Sequence, residues 1–150
     1  MSDKDQTQTD TTDKPAQKAI WLERTGPGSF IGRTSNGVEV RIGHGEDEFT
    51  PGDLLKLAFA GCHATSSDAR FAAALGADYR STVGVSSQYD EEKDRFTHMD
   101  VEIVTDLSGL SEEENDQLQR RAKAAIERKC TISHTLDEGI THSLSITSEY

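Results

Sequence analysis

The apolar pattern of the chain predicts an α+β domain in the order β-β-β-α-β-β-α-β. Three observations carry that expectation. A long stretch from Thr50 to Gly76 reads as one helix, apolar over most of its circumference. Short runs before and after it alternate apolar and polar residues and are joined by turn residues, as hairpins are. Ser111-Glu112-Glu113-Glu114 is a full capping box that opens a second helix. Helices that interrupt hairpin-forming strands give mainly antiparallel sheet.

The first stretch of the chain is polar, with no large apolar residue after Met1. It cannot bury enough surface to offset ordering entropy, which predicts a disordered tail over residues 1–17 and one domain over 18–150. Ala19-Ile20-Trp21-Leu22 then opens the first strand, which the turn Thr25-Gly26-Pro27-Gly28 ends. Ser29–Arg33 and Val38–Ile42 flank Ser35-Asn36-Gly37, and Asn-Gly between β-type runs marks a hairpin. A polar loop over 43–48 leads into the long helix.

Thr50 is the expected N-cap of that helix, and Pro51 falls at the first helical position, where a missing N–H costs nothing. Asp53 suits the positive end of the helix dipole, and Gly76 is a C-terminal stop. Leu54, Leu55, Leu57, Ala58, Phe59, Ala60 and Gly61 leave only Lys56 polar ahead of Cys62, so the helix is expected to be buried on several faces at the centre of the fold. Thr82–Tyr89 and the run with Phe96, Met99, Val101 and Ile103 form a further hairpin through the acidic loop Asp90–Asp94. Behind the capping box, Leu118, Ala122, Ala125 and Ile126 give one apolar stripe, and the cations gather toward the C-terminal end. Cys130 stands where this helix should stop. Ser143-Leu144-Ser145-Ile146-Thr147 alternates and is expected to be the last strand.

The formal charge is −11 and the isoelectric point about 4.8. Phosphate contacts need clustered Lys and Arg, so this balance argues against DNA, RNA or an anionic membrane as a partner. No apolar run is long enough to span a bilayer and the N-terminus has no apolar leader, which points to a cytoplasmic protein. In that compartment the two cysteines, Cys62 and Cys130, are expected to be reduced, and a bridge between them would be transient.

Pro51-Gly52-Asp53-Leu54-Leu55 followed by Ala60-Gly61-Cys62 resembles the first cysteine motif of the OsmC/Ohr family, the osmotically inducible and organic hydroperoxide resistance proteins. Lys129-Cys130-Thr131-Ile132-Ser133-His134-Thr135-Leu136 resembles the second. The resemblance spans Ile20 to Ser148 and points to the less characterised OsmC-like branch. It implies a swapped homodimer with the Cys-bearing helices at its centre and two active sites at the interface. It also implies reduction of organic hydroperoxides, with Cys62 attacking, Cys130 resolving, and an external dithiol, often lipoyl-linked in the family, restoring the thiols without a bound cofactor or metal. In active members an arginine from the preceding β region activates the first cysteine and is held by a glutamate at the start of its helix. Arg41 is the first candidate, Arg33 the second and Arg24 the third. The chain departs from the pattern at two places. Gly52 stands where the glutamate would follow Pro51, with Asp53 one position later, and Thr131 stands where proline usually follows the second cysteine.

The residues themselves leave alternatives side by side. A thiolate is the nucleophile that a hydroperoxide needs, and a second thiol within reach traps the sulfenic acid as a disulfide. Two free cysteines are equally read as small buried hydrophobes. Cys62 lies some three turns inside its helix, beyond the reach of that helix's own dipole. His63 and His134 are candidate activators. With the cysteines they match zinc in ligand type, but the spacing lacks a usual zinc pattern. Leu55, Phe59, Phe71 and Met99 line either an apolar pocket or the core. The second functional reading is a non-catalytic dimer of the same fold that binds an apolar small molecule in a stress response.

Overall fold

The computed structural model describes residues 19–149. The tail expected over 1–17 lies outside the described residues. The chain divides at Thr50/Pro51 into two compact units.

In the first unit, Ile20–Gly26 (β1), Ser29–Thr34 (β2) and Glu39–Ile42 (β3) form an antiparallel meander in that order. The two turns are made where sequence places them. Gly28 has φ +69° and Gly37 φ +87°, left-handed values that a side chain resists. Ala19 and Val38 lie just outside the strands. Beyond β3 the chain folds back on itself: the Phe49 N–H donates to the Arg41 carbonyl, and the Gly43 N–H to the Phe49 carbonyl, both at 3.0 Å.

The second unit begins with Pro51–Leu75 (α1), continues through the hairpin Ser81–Asp90 (β4) and Arg95–Thr105 (β5), and ends with Glu112–Lys129 (α2) and Thr131–Glu138 (α3). Pro51 is indeed the first helical residue, and Gly76, at φ +102°, ends α1 with its N–H on the Ala72 carbonyl. The predicted capping box is formed in full: Ser111 Oγ accepts from the Glu114 N–H, and the Glu114 carboxylate accepts from the Ser111 N–H at 2.8 Å.

In β5 the odd positions Met99, Val101, Ile103 and Thr105 are half-buried and alternate with exposed residues, as a strand with one covered face must. Ser87 keeps to the covered face of β4 opposite Met99, and the bulge after Gln88 then turns Tyr89 outward. Phe71, Leu118 and Ala122 form the core cluster, with Leu75, Tyr79, Ile103, Leu107 and Leu110 packed against it. The small side chains of Ala122 and Ala125, both buried, suit the close packing of α2 on α1.

Three expectations are corrected. The order of elements is β-β-β-α-β-β-α-α: within the α+β class, the last element is a helix, and residues 139–149 carry no strand. A strand exists only through its backbone partner, and among the described residues none pairs with Ser143–Thr147. Leu144 and Ile146 keep their alternation but are about nine-tenths exposed. The α3 helix is hidden in sequence because Thr131, Ile132 and Thr135 are β-branched, a type that disfavours helix. It starts because the Cys130 side chain caps it. Lastly, α1 is not buried all round: its buried residues Ala60, Ser67 and Phe71 share one stripe, while Leu55 and Leu57 are 38% and 46% exposed. The single chain supplies cover for one face only.

Candidate active site at the two cysteines

The α2–α3 junction delivers Cys130 to α1. Cys130 ends α2 with its N–H on the Ile126 carbonyl and begins α3 as the N-cap residue, so its backbone is extended between two helices. Its sulfur takes the place that a Ser or Asp oxygen usually holds at such a cap: the Ser133 N–H donates to Sγ at 3.4 Å and the Ser133 hydroxyl at 3.0 Å. Cys130 is wholly buried.

Cys62, half-buried in the middle of α1, meets the same helix end. Burial pushes its thiol up, but the N–H groups of Ile132 and Thr131, the Cys130 thiol and the Ser66 hydroxyl all hydrogen-bond the sulfur. Together they outweigh burial and hold Cys62 below the ordinary value of 9.0. This is a thiolate-favouring environment built from the first turn of α3, whose N–H groups have no partner inside their own helix. Cys62 cannot draw on the dipole of α1, but it draws on that of α3.

His63 stands beside this pair. Its Nδ1 lies 3.0 Å from the Phe59 carbonyl and 3.7 Å from Cys130 Sγ. The ring also makes an edge contact with Phe59, centroids 4.5 Å apart. The same histidine borders a concavity of about 730 Å³ whose apolar walls include Leu55, Phe59, Phe96, Met99 and Leu136. Of the four expected pocket residues, three do line it, and Phe71 belongs to the core. Neither sulfur lines this concavity.

A family model described as OsmC-like protein matches residues 43–145. The chain belongs to the OsmC-like family. An uncharacterised protein of Mycobacterium tuberculosis is 39% identical over 129 residues, covering 85% of this chain and 94% of that protein. A hypothetical protein from Aquifex aeolicus VF5 superposes with a TM-score of 0.64 at 17% identity, covering 82% of this chain and 89% of the other. The organic hydroperoxide resistance protein OhrB of Bacillus subtilis superposes with a TM-score of 0.51 at 19% identity, covering 80% and 90%. These structural likenesses show the OsmC-like fold.

Of the three arginines expected to activate an OsmC-like cysteine, Arg41 and Arg33 pair with acids of the N-terminal unit. Arg41 pairs with Asp47. Arg33 is held between Glu23, at 3.0 Å, and Glu39, its direct neighbour across β2 and β3. Asp53 lies in the first turn of α1, nine residues before Cys62. The His134 Nε2 meets the Glu127 carbonyl at 2.6 Å, and His134 lines the same concavity as His63. Among the described residues no three His, Cys, Asp or Glu side chains gather as a metal-binding set. Sequence reasoning missed Ser66 and Ser133. Both carried a signal: Ser66 is four residues after Cys62 on a helix, where side chains meet, and Ser133 stands three after Cys130, the spacing of a cap.

Proposed function

We propose that this OsmC-like protein is a thiol-dependent peroxidase for organic hydroperoxides, with Cys62 as the attacking thiolate and Cys130 as the resolving thiol. The observation that supports this reading is the packing of α3 on α1, which sets Cys130 Sγ 3.7 Å from the ring of His63, the neighbour of Cys62 in sequence; hydrogen bonds from the first turn of α3 hold the Cys62 thiol below its ordinary value. Attack on the peroxide breaks the O–O bond, leaves Cys62 as sulfenic acid and releases the alcohol. Cys130 then displaces the hydroxyl as water and forms the disulfide. An external dithiol, such as a lipoyl-linked one, reduces the bridge.

Activation in this reading comes from the Thr131 and Ile132 N–H groups, so Gly52 in place of a glutamate is tolerated. Arg41 is the guanidinium proposed to assist Cys62, with Arg33 and Asp53 the further candidates. Among the described residues no helix is long and apolar enough to cross a membrane, and the location is proposed to be cytoplasmic. The protein is proposed to work as a homodimer. The exposed faces of Leu55 and Leu57, and the unpaired alternation of Leu144 and Ile146, supply apolar surface for a second copy.

The test is steady-state consumption of cumene hydroperoxide with dihydrolipoamide as reductant. Turnover is expected in the native protein, loss of turnover in Cys62→Ser, and rapid over-oxidation in Cys130→Ser. Unchanged turnover in Cys62→Ser would refute the reading. One observation favours a second reading, a non-catalytic dimer that binds an apolar small molecule: the apolar-walled concavity of about 730 Å³ excludes both sulfurs. Absence of peroxide consumption together with saturable binding of an apolar probe would favour it.

A further inference from the structure

The surroundings of Cys130 Sγ consist of hydrogen-bond donors. The Ser133 N–H lies 3.4 Å away and the Ser133 hydroxyl, as donor, 3.0 Å away. The third group is the His63 ring. Its Nδ1 is 3.0 Å from the Phe59 carbonyl oxygen, which can only accept, so Nδ1 carries the imidazole proton and cannot take one from the cysteine. At 3.7 Å from Sγ the same N–H is shared with the sulfur. The edge contact with Phe59 fixes the ring plane. None of these groups, as arranged, accepts the Cys130 proton. The partner left for it lies across the contact of α3 with α1, at Cys62, which Cys130 hydrogen-bonds.

We propose that Ser133 and His63 are positioning residues for the resolving step, holding Cys130 Sγ by its lone pairs so that its S–H faces Cys62. This rests on the peroxidase reading for its biological meaning, but the geometry stands without it. In the resolving step the Cys130–Cys62 S–S bond forms and the Cys62 S–O bond of the sulfenic acid breaks. The Cys130 proton leaves with the hydroxyl as water. That proton is directed at the sulfur that would carry the leaving oxygen, and the negative charge left on Sγ as its proton departs is met by hydrogen bonds already in place. Pre-placed donors need no reorganisation as the bond forms.

The test separates attack by Cys130 from attack by peroxide. Half-buried Cys62 is loaded with thionitrobenzoate from Ellman's reagent, which wholly buried Cys130 is expected to resist. Release of the second thionitrobenzoate then reads displacement of that group by Cys130, with no peroxide present. Ser133→Ala removes the hydroxyl donor and leaves the cap N–H, and is expected to slow second release about tenfold, the effect of one lost hydrogen bond to a developing charge. First release should stay within about twofold of the native rate, and Ser133→Thr should restore second release. His63→Leu is expected to slow the second release in the same way.

Equal slowing of both releases would show a merely structural role and overturn the proposal. So would second release at the native rate in folded Ser133→Ala, or no second release from the native protein. Peroxide consumption by the native protein judges the peroxidase reading separately. A protein that consumes no peroxide yet shows the split between first and second release supports the positioning role and rejects the peroxidase.

Discussion

Replacing Phe71 by Ala tests the packing that brings α2, and with it Cys130, onto α1. Phe71 is 9% exposed and sits against Leu118, Ala122, Leu75, Tyr79, Ile103, Leu107 and Leu110. A buried phenylalanine removes about 200 Å² from water, which at about 25 cal/mol per Å² is roughly 4–5 kcal/mol against an extended chain. A compact denatured chain and the retained Cβ reduce this to about 3 kcal/mol. The Phe71 ring stacks on Tyr79 with centroids 5.8 Å apart and planes at 20°. Loss of that stack adds about 0.5–1 kcal/mol. The expected destabilisation is therefore about 3–4 kcal/mol, within the usual range for such truncations. In urea, with a slope of about 1.5 kcal/mol per M, the midpoint should fall by roughly 2 M at fixed protein concentration. A loss below about 1 kcal/mol with an unchanged slope would refute the claim that this cluster is the core of the second unit.

Three further outcomes follow from particular contacts. The Tyr79 hydroxyl donates to Asp68 at 2.6 Å, and burial with that carboxylate pushes the phenol up to about 12. Its contribution to stability is thus fully present below the ordinary value of 10.0 and lost as pH rises toward 12, and absorbance titration should show a tyrosine step near pH 12 that is absent from Tyr79→Phe. Ser111→Ala removes the side-chain half of the α2 capping box and should cost about 1 kcal/mol by thermal or urea unfolding. Cys62 alkylation by iodoacetamide, followed by peptide mass, should reach half its maximal rate below pH 9.0, and Cys130→Ala should move that midpoint upward by removing one donor. Because the folded value is depressed, the thiolate stabilises the fold above the unfolded pKa and that contribution fades as pH falls through the folded one.

Most of the secondary structure was legible because its causes are local. The Asn36-Gly37 turn, the capping box at Ser111, Pro51 at the start of α1 and the alternation from Met99 to Ile103 each act within a few residues, and each is formed. The failures have non-local causes. The helix α3 is started by a cysteine sulfur acting as a cap, a role that composition does not advertise. Ser143–Thr147 has the pattern of a strand, but pairing needs a second backbone that pattern cannot supply.

The candidate site was legible in its cysteines and not in its activation. Cys62 and Cys130 stand out as the only cysteines and through their family motifs. The groups that hydrogen-bond them, the Thr131 and Ile132 N–H groups, Ser66, Ser133 and His63, are backbone or common residues that only the fold brings together. Of the three arginines that motif reasoning selected, Arg33 and Arg41 pair with acids of their own unit.

The central claim is that Cys62 and Cys130 act as one redox pair. The most direct measurement is the intact mass of the reduced protein after one equivalent of cumene hydroperoxide, with hydrogen peroxide in parallel, over seconds to minutes. The account predicts fast loss of two hydrogens with the organic peroxide and a peptide map showing a Cys62–Cys130 disulfide. An unchanged mass in the folded protein, or a bridge between Cys62 residues of two chains in its place, would contradict it.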